Sequence, residues 1–205
     1  MYSRRMNALV KWTLLGVPAA VVLVLAGCSM TRAGYKSPVY TVRDRLAGVE
    51  VREYQALVLA QTSTRKEVEG RDGSFMRLFR FITKGNASAQ PIPMTTPVLY
   101  RGEGASEAMA FVLPATMKPG EAPAPLDAAV HIETRPAGTY ASVRMRGRRS
   151  KGREKALSEI RLALESSGWR LEGEPEFAFY DPPWTPWFFE KNEVLWRVVK
   201  KTATP

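Results

Sequence analysis

Val51-Arg52-Glu53-Tyr54-Gln55-Ala56 and Ala60 return, with substitutions, 81 positions later as Ile132-Glu133-Thr134-Arg135-Pro136-Ala137 and Ala141. The surroundings of the two copies match in order. A second β-prone run follows each (57–62, then 139–145). Next comes an apolar-periodic stretch that predicts a helix (74–84, then 150–166). Two further strand candidates close each unit (98–101 with 109–113, then 176–180 with 194–199). The order ββαββ therefore occurs twice. Four strands and one helix cannot cover both the sheet face and the helix face, so the halves must join around one core. The expectation is an α+β fold, a tandem ββαββ repeat forming a distorted eight-stranded antiparallel sheet or barrel flanked by two helices, over residues 49–205.

Ahead of the repeat the chain reads as an address. Arg4, Arg5 and Lys11 form a positive start, and 12–26 is an apolar run too short for a comfortable membrane span. It ends in Leu25-Ala26-Gly27-Cys28, a lipobox: small residues let a signal peptidase reach the backbone, and the Cys28 thiol takes the lipid. The expected organisation is a signal peptide over 1–27, lipidation at Cys28 and a tether over 28–48. The alternative is an uncleaved anchor with an incidental cysteine. Cys28 is the only cysteine, so a chain outside the cytoplasm has no disulfide to form. Taking Arg4, Arg5 and Lys11 from 30 basic residues leaves 27 against 20 acidic ones, a mature charge of +7. At the cell envelope that excess points to anionic lipid, lipopolysaccharide phosphate or a small acidic ligand, and not to nucleic acid. Ser29 is not the aspartate that retains lipoproteins at the inner membrane. The expected location is the outer membrane, facing the periplasm.

In the first predicted helix Phe75, Leu78, Phe79 and Ile82 follow i, i+3, i+4, i+7 and are expected to face the sheet. Arg77, Arg80 and Lys84 fall opposite, with Ser74 as N-cap and Gly85 just past the end. Met76 and Phe81 lie on the flanks, and Met76 sits about 40° from Arg80 around the helix. That flank is either the edge of a broad core stripe or a ligand-facing surface pairing a polarizable group with a guanidinium. The second helix carries Leu157, Ile160 and Leu164, with Ala156 and Ala163 allowing close approach. Arg144, Arg146, Arg148, Arg149, Lys151, Arg153 and Lys155 crowd its start. Arg148, Arg149, Lys151 and Arg153 are expected to form an anion-binding surface, the plainer alternative being a solvated charged turn. Trp184, Trp187, Phe188, Phe189 and Trp196 concentrate aromatic mass near the end, to close the core or to rim a cleft.

Pro91-Ile92-Pro93-Met94-Thr95-Thr96-Pro97-Val98-Leu99-Tyr100 holds three prolines in seven residues, a rigid extended lead-in to a strand. It resembles the Met-Thr-x-Pro-[Val/Ile] signature of the SOUL/heme-binding protein family. Val49-Glu50-Val51-Arg52-Glu53-Tyr54 resembles that family's opening strand. Phe177-Ala178-Phe179-Tyr180-Asp181-Pro182-Pro183, with Pro186 and Lys191-Asn192-Glu193-Val194, is similar to its closing signature. The three blocks stand in the family's order and cover 49 to about 199. The resemblance implies non-catalytic binding of heme or a related tetrapyrrole in an open apolar cleft along the first helix, with basic side chains near the propionates. On the matching positions Arg80 is the basic group, and Phe75 and Phe79 are apolar ones. Met76, Met94, Trp184 and Trp187 complete the expected cleft. Where some animal members carry a lysine in the Pro-Pro-x-x-Pro loop this chain has Thr185, which removes one propionate partner.

The sequence holds no His/Cys set with zinc spacing and no G-x-S-x-G, P-loop or G-x-G-x-x-G run. Its carboxylates show no recognisable catalytic spacing, so no enzyme and no metal site are expected. His131, the only imidazole, alternates with Val130 and Ile132 and shares a strand face with Glu133 and Arg135, which argues against axial ligation. Met94 is a conceivable soft ligand, packing being its plainer role. Two functions of different class follow. One is a membrane-anchored lipoprotein that binds heme or a related tetrapyrrole. The other is an envelope protein that binds lipid, lipopolysaccharide or a protein partner through its basic surface, without heme.

Overall fold

The repeat is written into the register of the sheet. The computed structural model describes residues 34–64, 73–102, 107–147, 150–182, 185–186 and 188–201. Residues Lys36–Pro205 form one compact unit. Its strands are β1 (Tyr40–Leu46), β2 (Val49–Tyr54), β3 (Leu57–Ser63), β4 (Val98–Arg101), β5 (Ala108–Val112), β6 (His131–Arg135), β7 (Gly138–Met145), β8 (Trp169–Phe179) and β9 (Asn192–Lys200). Helix α1 (Ser74–Thr83) follows β3 and helix α2 (Ser150–Glu165) follows β7. All neighbours pair antiparallel, in the order β1-β2-β7-β9-β8-β4-β5-β3-β6.

Setting β1 aside, that order reads the same backwards when each strand is exchanged for its counterpart in the other repeat. The pairs agree residue by residue at the offset of 81. Val51 opposite Ala141 becomes Ile132 opposite Ala60, and Tyr54 opposite Gly138 becomes Arg135 opposite Leu57. Each repeat thus lends its first strand to the other half, β2 to β7 and β6 to β3. The two-residue links 55–56 and 136–137 cross between the halves and draw the sheet into a curl. It is not closed by hydrogen bonds into a barrel.

Among the described residues nine strands stand where eight were expected. Residues 40–46, read as the end of the tether, form β1 on β2. This edge strand is recognised by cross-strand charge and not by an apolar run: Arg43 pairs with Glu53 and Arg45 with Glu50. Strand β8 also begins earlier than its apolar run, with a register shift between Leu171 and Pro175 around Gly173, whose φ is 66°. Glu172, Gly173 and Pro175 hide the strand from periodicity because they form a bulge.

Both helices lie on one sheet face. Ala156, Ile160 and Leu164 of α2 pack on Val51, Ala141, Val143, Phe177, Val194 and Trp196. Leu78, Phe81 and Ile82 of α1 pack on Val58, Ala60, Met109 and Phe111. The alternate residues of the same strands, among them Leu59, Leu99, Ala110, Val112, Ala178 and Leu195, form a third cluster on the concave face. Among the described residues no helix is long and apolar enough to cross a membrane.

Helix α1 is turned from the expected orientation. Ser74, Arg77, Leu78, Phe81 and Ile82 are its buried residues, a stripe rotated by about 80° from Phe75, Leu78, Phe79 and Ile82. Arg77 is only 9% exposed because its Nε donates to Thr62 Oγ1 at 3.1 Å and its Nη2 to the Ser63 carbonyl at 2.8 Å. The charge is satisfied at the end of β3, so the stem can lie in the core. Ser74 is not the N-cap: Gly73 is, with no side-chain bond. Gly85 meets its expectation through close approach, since a Cβ there would lie 2.8 Å from the Arg80 carbonyl oxygen.

Candidate functional site

The turn of α1 decides what it shows to solvent. Phe75 is 39% exposed, Phe79 40% and Met76 51%, while Phe81 beside them is 1% exposed. At 100° per residue Phe75, Phe79, Met76 and Arg80 follow one another around a continuous arc of about 140°. Arg80 is exposed. The two phenyl rings are stacked, with centroids 6.0 Å apart and planes 12° apart. Phe75 is steadied from below by Phe111, edge-on at 5.3 Å. This is a half-exposed aromatic platform with a thioether beside it and a guanidinium at its end.

The segment that follows is tied under the helix. Buried Asn86 donates through Nδ2 to the carbonyls of Phe81 and Gln90, at 3.0 and 2.8 Å, and accepts from the Gln90 N–H. Ile92 N–H returns to the Ile82 carbonyl at 2.7 Å. The Thr95 hydroxyl donates to the Val112 carbonyl, and the Thr96–Pro97 bond is cis. Met94 is partly buried against the cluster beneath α1. Trp184 and Trp187 lie outside the described residues. Phe188, from the same loop, is exposed, with its ring 4.5 Å from that of Phe189.

Heme presents a flat apolar ring and two carboxylates, and the α1 arc fits both, offering stacked ring faces and the Arg80 cation. His131 is exposed on β6, and its neighbour Ile132 packs toward the α1 side. Strand alternation directs His131 to the other face. Among the described residues no group of three or more His, Cys, Asp or Glu could hold a metal ion.

Of the four residues expected to form the anion-binding surface at the start of α2, two are described. Arg148 and Arg149 lie outside the described residues, and Lys151 is exposed. Arg153, expected on the anion-binding surface, is half-buried with its guanidinium 4.5 Å from the Phe177 ring centroid. It covers the core by cation–π contact.

Four functional-looking residues escaped the sequence reading, all on the concave face: Arg52, Arg135, Glu176 and Glu193. Arg52 donates to Glu193 at 2.8 Å and to Glu50 at 2.8 Å, and Tyr180 donates to Glu193 at 2.9 Å. Arg135 donates to Glu176 at 2.6 Å, and Arg101 bridges Glu176 and Glu133 at 3.0 Å each. Burial alone would lower the Arg52 guanidinium, but the Glu193 carboxylate overrides it and holds Arg52 above its ordinary value. Burial, and then the Glu193 charge, push the Tyr180 phenol up, and burial pushes Tyr54 up against the pull of Arg52. The available signal was charge at the concave-face parity of apolar strands, as in Glu193 between Asn192 and Val194.

Solved structures share this architecture. The C-terminal domain of EcmrR superposes with a TM-score of 0.51 at 13% identity, over 80% of this chain and 99% of that one. A structure described as a hydrolase encoded by lin2189 from Listeria innocua gives 0.56 at 10% identity, over 77% and 94%. At such identities the likeness is one of fold. No curated protein sequence matches the chain. The family model described as SOUL heme-binding protein matches residues 35–197, which take in the α1 arc, the proline segment and the Lys191-Asn192-Glu193-Val194 block; the chain belongs to that family.

Proposed function

We propose that this protein is a lipid-anchored envelope protein that holds heme or a related tetrapyrrole against the outer flank of α1, without catalysis. The observation that carries the reading is the exposure of Phe75, Met76 and Phe79 beside Arg80 on a helix whose other residues Leu78, Phe81 and Ile82 are buried. In a member of a heme-binding family, a helix that keeps three large apolar side chains half in solvent has a use for them. Phe75, Met76 and Phe79 would meet the macrocycle, and Arg80 would offset a propionate. Met94 packs on the core cluster beneath the helix, and Trp184 and Trp187 are proposed as further ligand contacts. When bound, heme supplies the iron and the conjugated ring; the chain's part is to seat the apolar face and neutralise charge.

Anchoring rests on the Leu25-Ala26-Gly27-Cys28 motif, with the outer membrane as the proposed location. The test of binding is a hemin titration of the protein followed in the Soret band. A saturable, stoichiometric shift supports the reading. A spectrum that never departs from free hemin refutes it.

A further inference from the structure

We propose that the start of β1 and its lead-in form a membrane-contact face, with Val39 and Tyr40 sinking into the headgroup layer of the bilayer that holds Cys28. The inference rests on the lipid-anchor reading and adds to it which side of the domain meets the lipid.

Covalent reach sets the first limit. Cys28 precedes Lys36 by eight residues, at most about 29 Å of extended chain. Lys36–Pro205 form one compact unit, about 40 Å across for a chain of that length. Lys36 is not free to swing. The Thr96 N–H donates to its carbonyl at 3.0 Å, and the Ser37 and Thr96 hydroxyls bond at 2.9 Å. A tether shorter than the domain, ending at a fixed point, keeps the Lys36 side toward the bilayer and the opposite side away from it.

That side carries apolar groups that the packing of the domain leaves in water. Val39 is 83% exposed, more than any other large apolar residue among the described ones. Its backbone is held on both sides, by the Ser37 contact and by Tyr40, which begins β1 opposite Tyr54. Pro38 fixes one φ between them. Ser37, Pro38 and Tyr40 line the concave cleft and Val39 does not, so Val39 is turned outward. Tyr40 is 38% exposed, with its ring 5.3 Å from that of Tyr54 and 4.4 Å from the Arg52 guanidinium carbon. A tyrosine seated on one side and open on the other is the residue type that settles at the lipid–water boundary. Lys36 is exposed. Lys191, on the same cleft rim, reaches Glu193 at 3.8 Å and keeps 43% of its side chain in solvent. These two cations flank the apolar pair and suit lipid phosphate.

Lipidation blocks Cys28, the only cysteine, so an introduced thiol is labelled alone. The lipid-bearing chain, with the environment-sensitive fluorophore NBD on Val39→Cys or on Leu162→Cys, is inserted from outside into vesicles of phosphatidylethanolamine and phosphatidylglycerol. Leu162, 62% exposed on α2, lies across the sheet from the cleft. A label held about 5–10 Å into the headgroup boundary should emit further to the blue, and dithionite should reduce it several-fold more slowly than the Leu162 label. Because NBD is itself apolar, a second pair carries it on Lys36→Cys, with Val39 kept or replaced by Asp. Shielding should be present in the first and lost in the second. Both positions are exposed, so these variants keep the fold. Equal quenching at 39 and 162, or shielding at 36 that survives Val39→Asp, would overturn the proposal and leave the anchor standing. Shielding lost on diluting the protein in the vesicles would assign the face to a second copy and overturn it as well. A chain whose mass shows no lipid on Cys28 would remove the anchor and this proposal together.

Discussion

Two phenylalanines two residues apart on α1 should behave in opposite ways. Phe81 is 1% exposed under the helix, in contact with the β3 and β5 core, whereas Phe79 is 40% exposed on the outer arc. Phe81→Ala leaves a ring-sized cavity in a packed cluster and should cost about 3–5 kcal/mol. Phe79→Ala forfeits only the buried part of one ring, about 1–2 kcal/mol. With a urea m-value near 2 kcal/mol/M, the midpoint of Phe81→Ala should fall by about 1.5–2.5 M and that of Phe79→Ala by less than about 1 M. The order reverses for ligand. Phe79→Ala should weaken heme about tenfold, whereas Phe81→Ala, measured where it is folded, should stay within about threefold of the parent. Urea unfolding by circular dichroism and a parallel hemin titration read both quantities. Phe79→Ala as the more destabilising change would mean that the helix sits with Phe75 and Phe79 inward, and the proposed surface would not exist.

Glu193→Gln leaves an acceptor for Arg52 but no charge, while Glu50 still pairs with it. The expected loss is about 2–3 kcal/mol, below the 3–5 typical of a broken buried pair, read by the same urea titration. The alkaline limb of stability has a definite sign. Tyr54 and Tyr180 are pushed above the ordinary phenol value near 10 in the folded chain. Their contribution is therefore intact below about pH 10 and is lost as pH rises beyond it. Phenolate absorbance near 295 nm should show Tyr180 ionising only as the chain unfolds, and Tyr180→Phe should flatten the fall of the urea midpoint above pH 10. Cys28→Ala should accumulate as an unprocessed precursor; a variant with the mass and membrane fractionation of the parent would remove the lipoprotein reading.

The architecture was legible because the repeat is a statement about pairing. Residues 81 apart in sequence occupy equivalent places in the ladder, so Val51 with Ala141 and Ile132 with Ala60 report one geometry twice. Strand β1 was not legible, since its partners Glu50 and Glu53 sit on the neighbouring strand and its own run, with Arg43, Asp44 and Arg45, looks like a solvated tether. The rotation of α1 was missed for a related reason. Hydrophobicity ranks Phe79 above Arg77, but the Thr62 hydroxyl and the Ser63 carbonyl at the end of β3 accept from the Arg77 guanidinium and let that residue be buried. The same rotation carries Phe75 and Phe79, expected against the sheet, onto the exposed arc that also holds Met76 and Arg80. The concave network stayed hidden because alternation sets Arg52, Arg135, Glu176 and Glu193 on the sheet face opposite the helices, where charge is ordinarily solvated, yet all four are buried. On a flat sheet that side faces water; here the crossing links 55–56 and 136–137 curl it inward.

The central claim is that heme lies on the outer arc of α1 with Arg80 as its counter-charge, and one paired titration tests it most directly. Hemin binding to the parent, Arg80→Glu and His131→Ala is followed by Soret absorbance. Arg80→Glu removes a charge-assisted contact and adds repulsion, for an expected loss of about ten- to a hundredfold in affinity. His131→Ala, on the opposite strand face, should change neither affinity nor Soret position. A Soret shift abolished by His131→Ala and untouched by Arg80→Glu would contradict the account and place the iron on an axial histidine elsewhere.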